Sequence, residues 1–233
     1  MKRIAILETD ILPGEIVEQF GSYAQMCQRL LLSGDASLQF DCIDVVNGQT
    51  PDLSQTYDAY LITGSKADAY SDETWVVQLR CAVQKLFAAR QKLIGICFGH
   101  QLIAHSLGGK TEKSTKGWGV GLHRAHIKSP ASWMQSATDE YSVIYSHQDQ
   151  VVQLPPQATL IAASDFCPIA MYRIEDRVFC LQGHPEFSRE YCRYLLESRE
   201  DRIEPARIKA GLASLALPDN ANDVRDWILA FIG

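Results

Sequence analysis

The chain has 233 residues, 46% apolar and 21% charged, with 22 Lys and Arg against 28 Asp and Glu and a formal net charge of −6. These proportions belong to a globular protein and exclude collagen-like, low-complexity and disordered architectures. The acidic balance argues against non-specific nucleic-acid binding and against anionic membranes, but leaves room for an anionic substrate held in a local basic pocket. A chain of this length suits one large domain, which buries roughly 70–75% of its unfolded surface and needs no disulfide or metal staple.

The first apolar run, Ile4-Ala5-Ile6-Leu7, ends at Glu8. It is too short for the apolar core of a secretory signal, about 7–15 residues. No stretch approaches the roughly 18 uninterrupted apolar residues of a membrane span, so a cytoplasmic protein without membrane attachment is expected. The seven cysteines are odd in number and none has CxxC spacing, which points to reduced, mostly buried thiols with Cys97 as the exception.

Strand and helix signals alternate through the first half. Ile4–Leu7 predicts a strand, and apolar spacing from Gly14 to Leu32 predicts a helix. Phe40–Val46 and Ala59–Thr63 predict two more strands, and Trp75, Val76, Leu79, Ala82, Val83, Leu86 and Phe87 mark one face of a helix. Leu93–Cys97 predicts a fourth strand, followed by a helix from Gly99 to the Gly108-Gly109 stop. This alternation implies a single α/β domain with a central, mostly parallel open sheet and helices on both faces. Right-handed crossovers then gather the strand C-termini on one edge, where such sheets bind ligands.

The second half predicts extra short strands at Gly119–Lys128, Ser142–His147, Thr159–Ala163, Ile169–Ile174 and Val178–Gln182. Helical patterns follow at Ser188–Arg199, after Pro205, and at Asp223–Phe231. With no repeat and no Pro/Gly/Ser linker, the chain reads as one domain over 1–233, with a core at about 3–195 and a helical tail at about 196–233.

Two segments carry chemistry. In Leu93-Ile94-Gly95-Ile96-Cys97-Phe98-Gly99 an apolar strand runs through Gly-x-Cys-x-Gly into a helix, the nucleophile-elbow pattern with Cys in place of Ser. Glycines two residues before and after the cysteine relieve crowding at the sharp turn, and the helix N-terminus favours an anion, hence the nucleophilic thiolate. The Phe98 N–H is placed to meet a developing oxyanion. In Gly183-His184-Pro185-Glu186 the two-residue period puts His184 and Glu186 on one side of an extended chain, and Pro185 favours that extended form. A thiol, an imidazole base and an orienting acid follow triad logic in its Cys–His form.

Together these segments resemble the class I (triad) glutamine amidotransferase family. Gly95, Cys97, Gly99 and Gln101 match its nucleophile motif, and Gly183-His184-Pro185-Glu186 its His-Pro-Glu motif. Ser146-His147-Gln148-Asp149 resembles an element typical of the GMP-synthase-like branch, and Thr63-Gly64-Ser65 the glycine loop after the third strand. The resemblance implies a flavodoxin-like fold and a cysteine hydrolase that cleaves the γ-glutamyl amide of glutamine through a Cys97 thioester, releasing glutamate and ammonia. It further implies His184 as the proton carrier, oriented by Glu186; an oxyanion hole from Phe98, Gly64 and Ser65; and a glutamyl group held by Gln101, Ser146 and His147. Neither a cofactor nor a metal is implied. The partners expected are a small-molecule substrate, glutamine or a γ-glutamyl compound, and an ammonia-accepting synthetase chain if the protein works as a subunit, with no nucleic acid and no membrane.

Many family members have a second glycine where Ser65 stands and a proline where Lys66 stands. The γ-glutamyl peptidases, a related branch, look similar through this Gly-Ser loop and through Lys116-Gly117-Trp118. That resemblance implies the alternative of a peptidase acting on γ-glutamyl peptides.

Other features carry blander expectations. Gly117-Trp118-Gly119-Val120-Gly121 predicts a turn entering a strand and no phosphate loop. The pairs His100/His105 and His123/His126 predict solvated or capping roles, and Ser198–Glu204 an exposed helix end.

Overall fold

The computed structural model describes residues 1–135 and 138–233. Among them the strands are β1 (Arg3–Glu8), β2 (Gln39–Asp44), β3 (Ala59–Ile62), β4 (Leu93–Ile96), β5 (Lys110–Lys113), β6 (Gly119–Ile127), β7 (Glu140–His147), β8 (Asp149–Gln153), β9 (Thr159–Ala163), β10 (Met171–Ile174) and β11 (Val178–Leu181). The helices are α1 (Gly14–Phe20), α2 (Tyr23–Leu32), α3 (Thr74–Ala88), α4 (Phe98–Ser106), α5 (Arg189–Glu197), α6 (Pro205–Ser214) and α7 (Ala221–Ile232). No described helix is long and apolar enough to cross a membrane.

Nine strands form one sheet in the order β2-β1-β3-β4-β11-β10-β9-β6-β7, and β5 pairs with β8 separately. The first five in that order run parallel: helices cross over from β1 to β2 and from β3 to β4, a loop without a helix leads from β2 to β3, and β11 arrives from the far end of the chain. From β11 onward every pairing is antiparallel, as tight turns and hairpins allow. The chain is therefore a single α/β domain in which β11 joins a parallel half to an antiparallel half.

Alternation along the parallel strands supplies both faces. Ile4 and Ile6 of β1, Leu61, Ile94 and Ile96 pack with α2 and α7, whereas Ala5, Leu7, Tyr60 and Ile62 pack with α3 and α4. A third cluster, built on Tyr191, Leu195, Leu196 and Ile208, seats α5 and α6 against Val120 and Ile144 of the antiparallel half.

Three expectations change. The helix from Gly14 to Leu32 is two helices, because Gly21 takes φ +87° and Ser22 begins α2 afresh with a reciprocal capping box to Gln25. His100 is not solvated but fully buried beside Tyr172, and burial pushes its imidazole down to about 3. All seven cysteines are free as expected, yet Cys42 and Cys81 are exposed. Strands β5 and β8 are additional; their polar sequences, Lys-Thr-Glu-Lys and Asp-Gln-Val-Val-Gln, carry no clear alternation.

Candidate active site

The parallel register brings the C-terminal ends of β1, β3, β4 and β11 to one edge of the sheet. The residues just beyond those ends are Thr9 and Asp10, Thr63 to Lys66, Cys97, and Gln182 to Glu186.

Cys97 is the N-cap of α4, at φ 51° and ψ −99°, a left-handed conformation that a non-glycine residue adopts only when its surroundings over-determine it. The neighbours do so. A Cβ on Gly95 would meet the Gly99 carbonyl at 2.6 Å, and one on Gly99 would run into the Ile62 carbonyl. The Cys97 N–H is held by Leu181 O at 2.9 Å, and the Gly99 N–H by Thr63 O at 3.1 Å. Cys97 is 5% exposed, so little of the residue meets solvent. Broader surface hollows lie elsewhere, one of about 480 Å³ against Arg124, Glu140 and Asn220. That hollow holds none of the groups described here, whereas a smaller one of about 250 Å³ is lined by Glu186, Phe187 and Tyr191 together with Phe20, Met26 and Arg29.

His184 leaves the end of β11 in extended conformation, its N–H bonded to Ile144 O at 2.7 Å. Its Nδ1 lies 2.7 Å from Glu186 Oε1, and both side chains are almost wholly buried. Burial alone disfavours a charged imidazole. The Glu186 carboxylate and the Cys97 thiol outweigh it and raise His184 to about 10. Phe187 stacks on the imidazole, ring centroids 3.8 Å apart and 8° from parallel, and is itself backed by Tyr191 and Tyr23.

Gly64 completes the floor. A Cβ there would come within 2.8 Å of His184 Cε1 and 3.8 Å of Cys97 Cβ, so only glycine lets the loop after β3 approach both. Ser65 follows it, partly exposed. Phe98 opens α4, and its N–H, as the first of the helix, has no intrahelical acceptor.

The remaining predicted residues are placed differently from one another. Gln101 is buried, and its Nε2 donates to Asp149 O at 2.7 Å and to Gln182 Oε1 at 3.1 Å, tying α4 to the start of β8 and the end of β11. His147 is buried opposite Gly119, where a Cβ would stand 3.1 Å from its ring. Burial, then the nearby imidazoles of His123, His184 and His100, hold His147 well below the usual range and therefore neutral. Ser146 accepts a hydrogen bond from Arg199 at 2.7 Å.

Sequence reasoning missed Asp10. Its Oδ2 accepts the Lys66 N–H at 3.0 Å, and its Oδ1 accepts the Ile11 N–H at 2.8 Å and pairs with Lys66 Nζ at 3.1 Å. Thr9 adds a hydroxyl donated to Gly64 O at 2.8 Å. Together they fix the loop that carries Gly64 and Ser65. The signal was present as an acid just past the first parallel strand, on the ligand edge of the sheet.

Fold and site define a class of protein, and comparison with known proteins agrees. The family model described as glutamine amidotransferase class-I matches residues 16–194. The chain belongs to that family, whose members are enzymes.

Among its relatives, γ-glutamyl peptidase 3 of Arabidopsis thaliana is 39% identical over 165 residues, 67% of this chain and 66% of that protein. A GMP synthase (glutamine-hydrolysing) of Finegoldia magna is 31% identical over 127 residues, 54% of this chain and 24% of that protein. A solved glutamine amidotransferase of Thermotoga maritima superimposes with TM-score 0.76 at 18% identity, covering 99% of this chain and 96% of the other, which supports the fold alone.

Proposed function

We propose that this protein is a cysteine hydrolase of γ-glutamyl amides whose preferred substrates are γ-glutamyl peptides, glutamine being the lesser substrate. The observation that carries the chemistry is the buried His184–Glu186 pair at 2.7 Å, set beside Cys97 at the strained head of α4. In this reading the basic His184 takes the thiol proton and Cys97 Sγ attacks the γ-carbonyl carbon. The oxyanion settles on the Phe98 N–H and an N–H of Gly64 or Ser65. His184 then gives its proton to the departing amine, leaving a γ-glutamyl thioester on Cys97. Water, activated by His184, hydrolyses the thioester to glutamate and restores the thiol.

The preference for peptides is supported by the peptidase relatives and by the loop, which carries Ser65 and an exposed Lys66 held outward by Asp10. A synthetase-dependent role has weaker support, since the GMP synthase matches only over a quarter of its own length.

The test is a panel of glutamine and γ-glutamyl dipeptides, with Cys97→Ser alongside and mass-spectrometric detection of the acylated Cys97. Cys97-dependent glutamate release is expected from the panel, faster from dipeptides. No release from any member defeats the proposal; release from glutamine alone returns the reading to a glutaminase.

A further inference from the structure

Arg199 lies just past α5, in a stretch the sequence marks as an exposed helix end, yet the structure half-buries it. Its guanidinium donates to Ser146 Oγ at 2.7 Å and lies over the Trp118 indole, 5.4 Å from the ring centroid. Among the described residues it forms no ion pair. A half-buried cation normally finds a carboxylate, because desolvation without one is costly.

Two further cations gather at the same turn. Arg207 of α6 donates to Trp118 O at 2.6 Å and Lys116 O at 3.1 Å, and Lys116 Nζ reaches the Asp165 carbonyl. All three contact neutral acceptors and none forms an ion pair among the described residues, so three cations share this turn on a chain whose overall charge is −6. Such a cluster fits an anionic group from outside the chain.

Its position relative to His184 is set by β7. The His184 N–H bonds to Ile144 O, and Ser146 lies two residues further along the same face of that strand, about 7 Å away. The second link is aromatic: Phe187, stacked on His184, packs edge-on against Tyr191, whose hydroxyl donates to Tyr23 at 3.1 Å. Burial raises the pKa of both tyrosine hydroxyls, and Arg199 is close enough to pull it back down in part. The departing nitrogen must lie against His184, which protonates it. A leaving group of one or two residues extends at most about 3.5–7 Å beyond that nitrogen, the scale of the two-residue step along β7 from Ile144, which holds the His184 N–H, to Ser146, which holds Arg199.

We infer that Arg199, backed by Ser146 and Trp118, binds the free carboxylate of the leaving group, so that the enzyme selects γ-glutamyl amino acids and dipeptides over uncharged γ-glutamyl amides. The inference rests on the γ-glutamyl hydrolase reading and names the substrate class of that site.

The test is read as binding, so that it stands apart from turnover. In a Cys97→Ser background, γ-glutamylalanine and its C-terminal amide are titrated by calorimetry. The carboxylate is expected to bind about 10- to 100-fold more tightly, the range of a charge-assisted hydrogen bond. Arg199→Gln is expected to abolish that ratio while leaving the amide within a factor of about two. Arg199→Lys, which keeps charge without the planar fork, should restore part of it. Equal binding of the two ligands in the Cys97→Ser protein, or a ratio that survives Arg199→Gln, overturns the inference. An intact ratio in a wild-type protein that hydrolyses neither compound sinks the hydrolase reading instead and leaves the carboxylate site standing.

Discussion

The two halves of the large sheet differ in what they contribute to one site. The parallel half, β2-β1-β3-β4-β11, sends strand ends to a common edge and there supplies Cys97, His184, Glu186 and the Gly64 loop. The antiparallel half, through β6 and β7, supplies Ser146, His147 and the approach to Trp118. Parallel strands with buried faces hold groups against each other through main-chain contacts, as Cys97 N–H to Leu181 O shows. Antiparallel strands at the sheet's far side hold side chains that face outward from a wall, as Ser146 does toward Arg199. On the proposed mechanism the difference is a division of labour: bond-making groups where the backbone is most constrained, and recognition on the antiparallel wall. Changes in the parallel half should therefore fall on kcat, and changes in the antiparallel half on KM.

The largest effect expected is from Gly64→Ala. The added Cβ meets His184 Cε1 at 2.8 Å, and either the ring or the loop must move. Displacing a reacting group by about 1 Å costs on the order of 10²-fold, and loss of an oxyanion donor about 10²–10³-fold. We expect a fall of kcat in that range with KM nearly constant and a cooperative thermal transition retained. A kcat within a few-fold of wild type, or a change confined to KM, would break the division.

Next is Glu186→Gln, read through pH. His184 is raised to about 10 in the folded protein, against an ordinary value near 6.5. A raised pKa of this kind gives stability that is fully present below pH 6.5 and is lost as pH climbs toward 10, because over that window only the folded state keeps the proton. Removing the carboxylate removes the main opposing force to burial, so the variant should be less stable at pH 7 and its thermal midpoint should fall less between pH 7 and 9.5. Parallel pH profiles of the two proteins would contradict the assignment.

How much of this was legible in the sequence follows the same line. Parallel strands are short and apolar, so β1, β3 and β4 stand out, and Cys97 lies in a contiguous motif past β4, as His184 and Glu186 do past β11. The break at Gly21-Ser22 was written in its capping box, but continuous apolar spacing from Ile16 to Leu31 masked it. Strands β5 and β8 were silent because their side chains are largely polar and their pairing is decided by each other. Asp10 and Arg199 act on groups 56 and 53 residues away in the chain, Lys66 N–H and Ser146 Oγ, and no local pattern encodes such a pairing. Gln101 was legible as a motif residue, yet its ties to Asp149 and Gln182 depend on three elements meeting.

The smallest effect expected belongs to Arg207→Gln, and it probes the antiparallel half alone. Arg207 holds the Lys116–Trp118 turn by two hydrogen bonds to carbonyls, at 2.6 and 3.1 Å. The turn should loosen without unfolding, at about 1.5–3 kcal/mol for a lost charged bond. The Trp118 indole would then support Arg199 less firmly. KM for a γ-glutamyl dipeptide should rise about 2- to 10-fold with kcat constant, and KM for the corresponding C-terminal amide should not move. Steady-state kinetics on the two substrates decides it. A fall in kcat shared by both would mean that the antiparallel half also positions the reacting groups, through the Ile144 carbonyl that takes the His184 N–H.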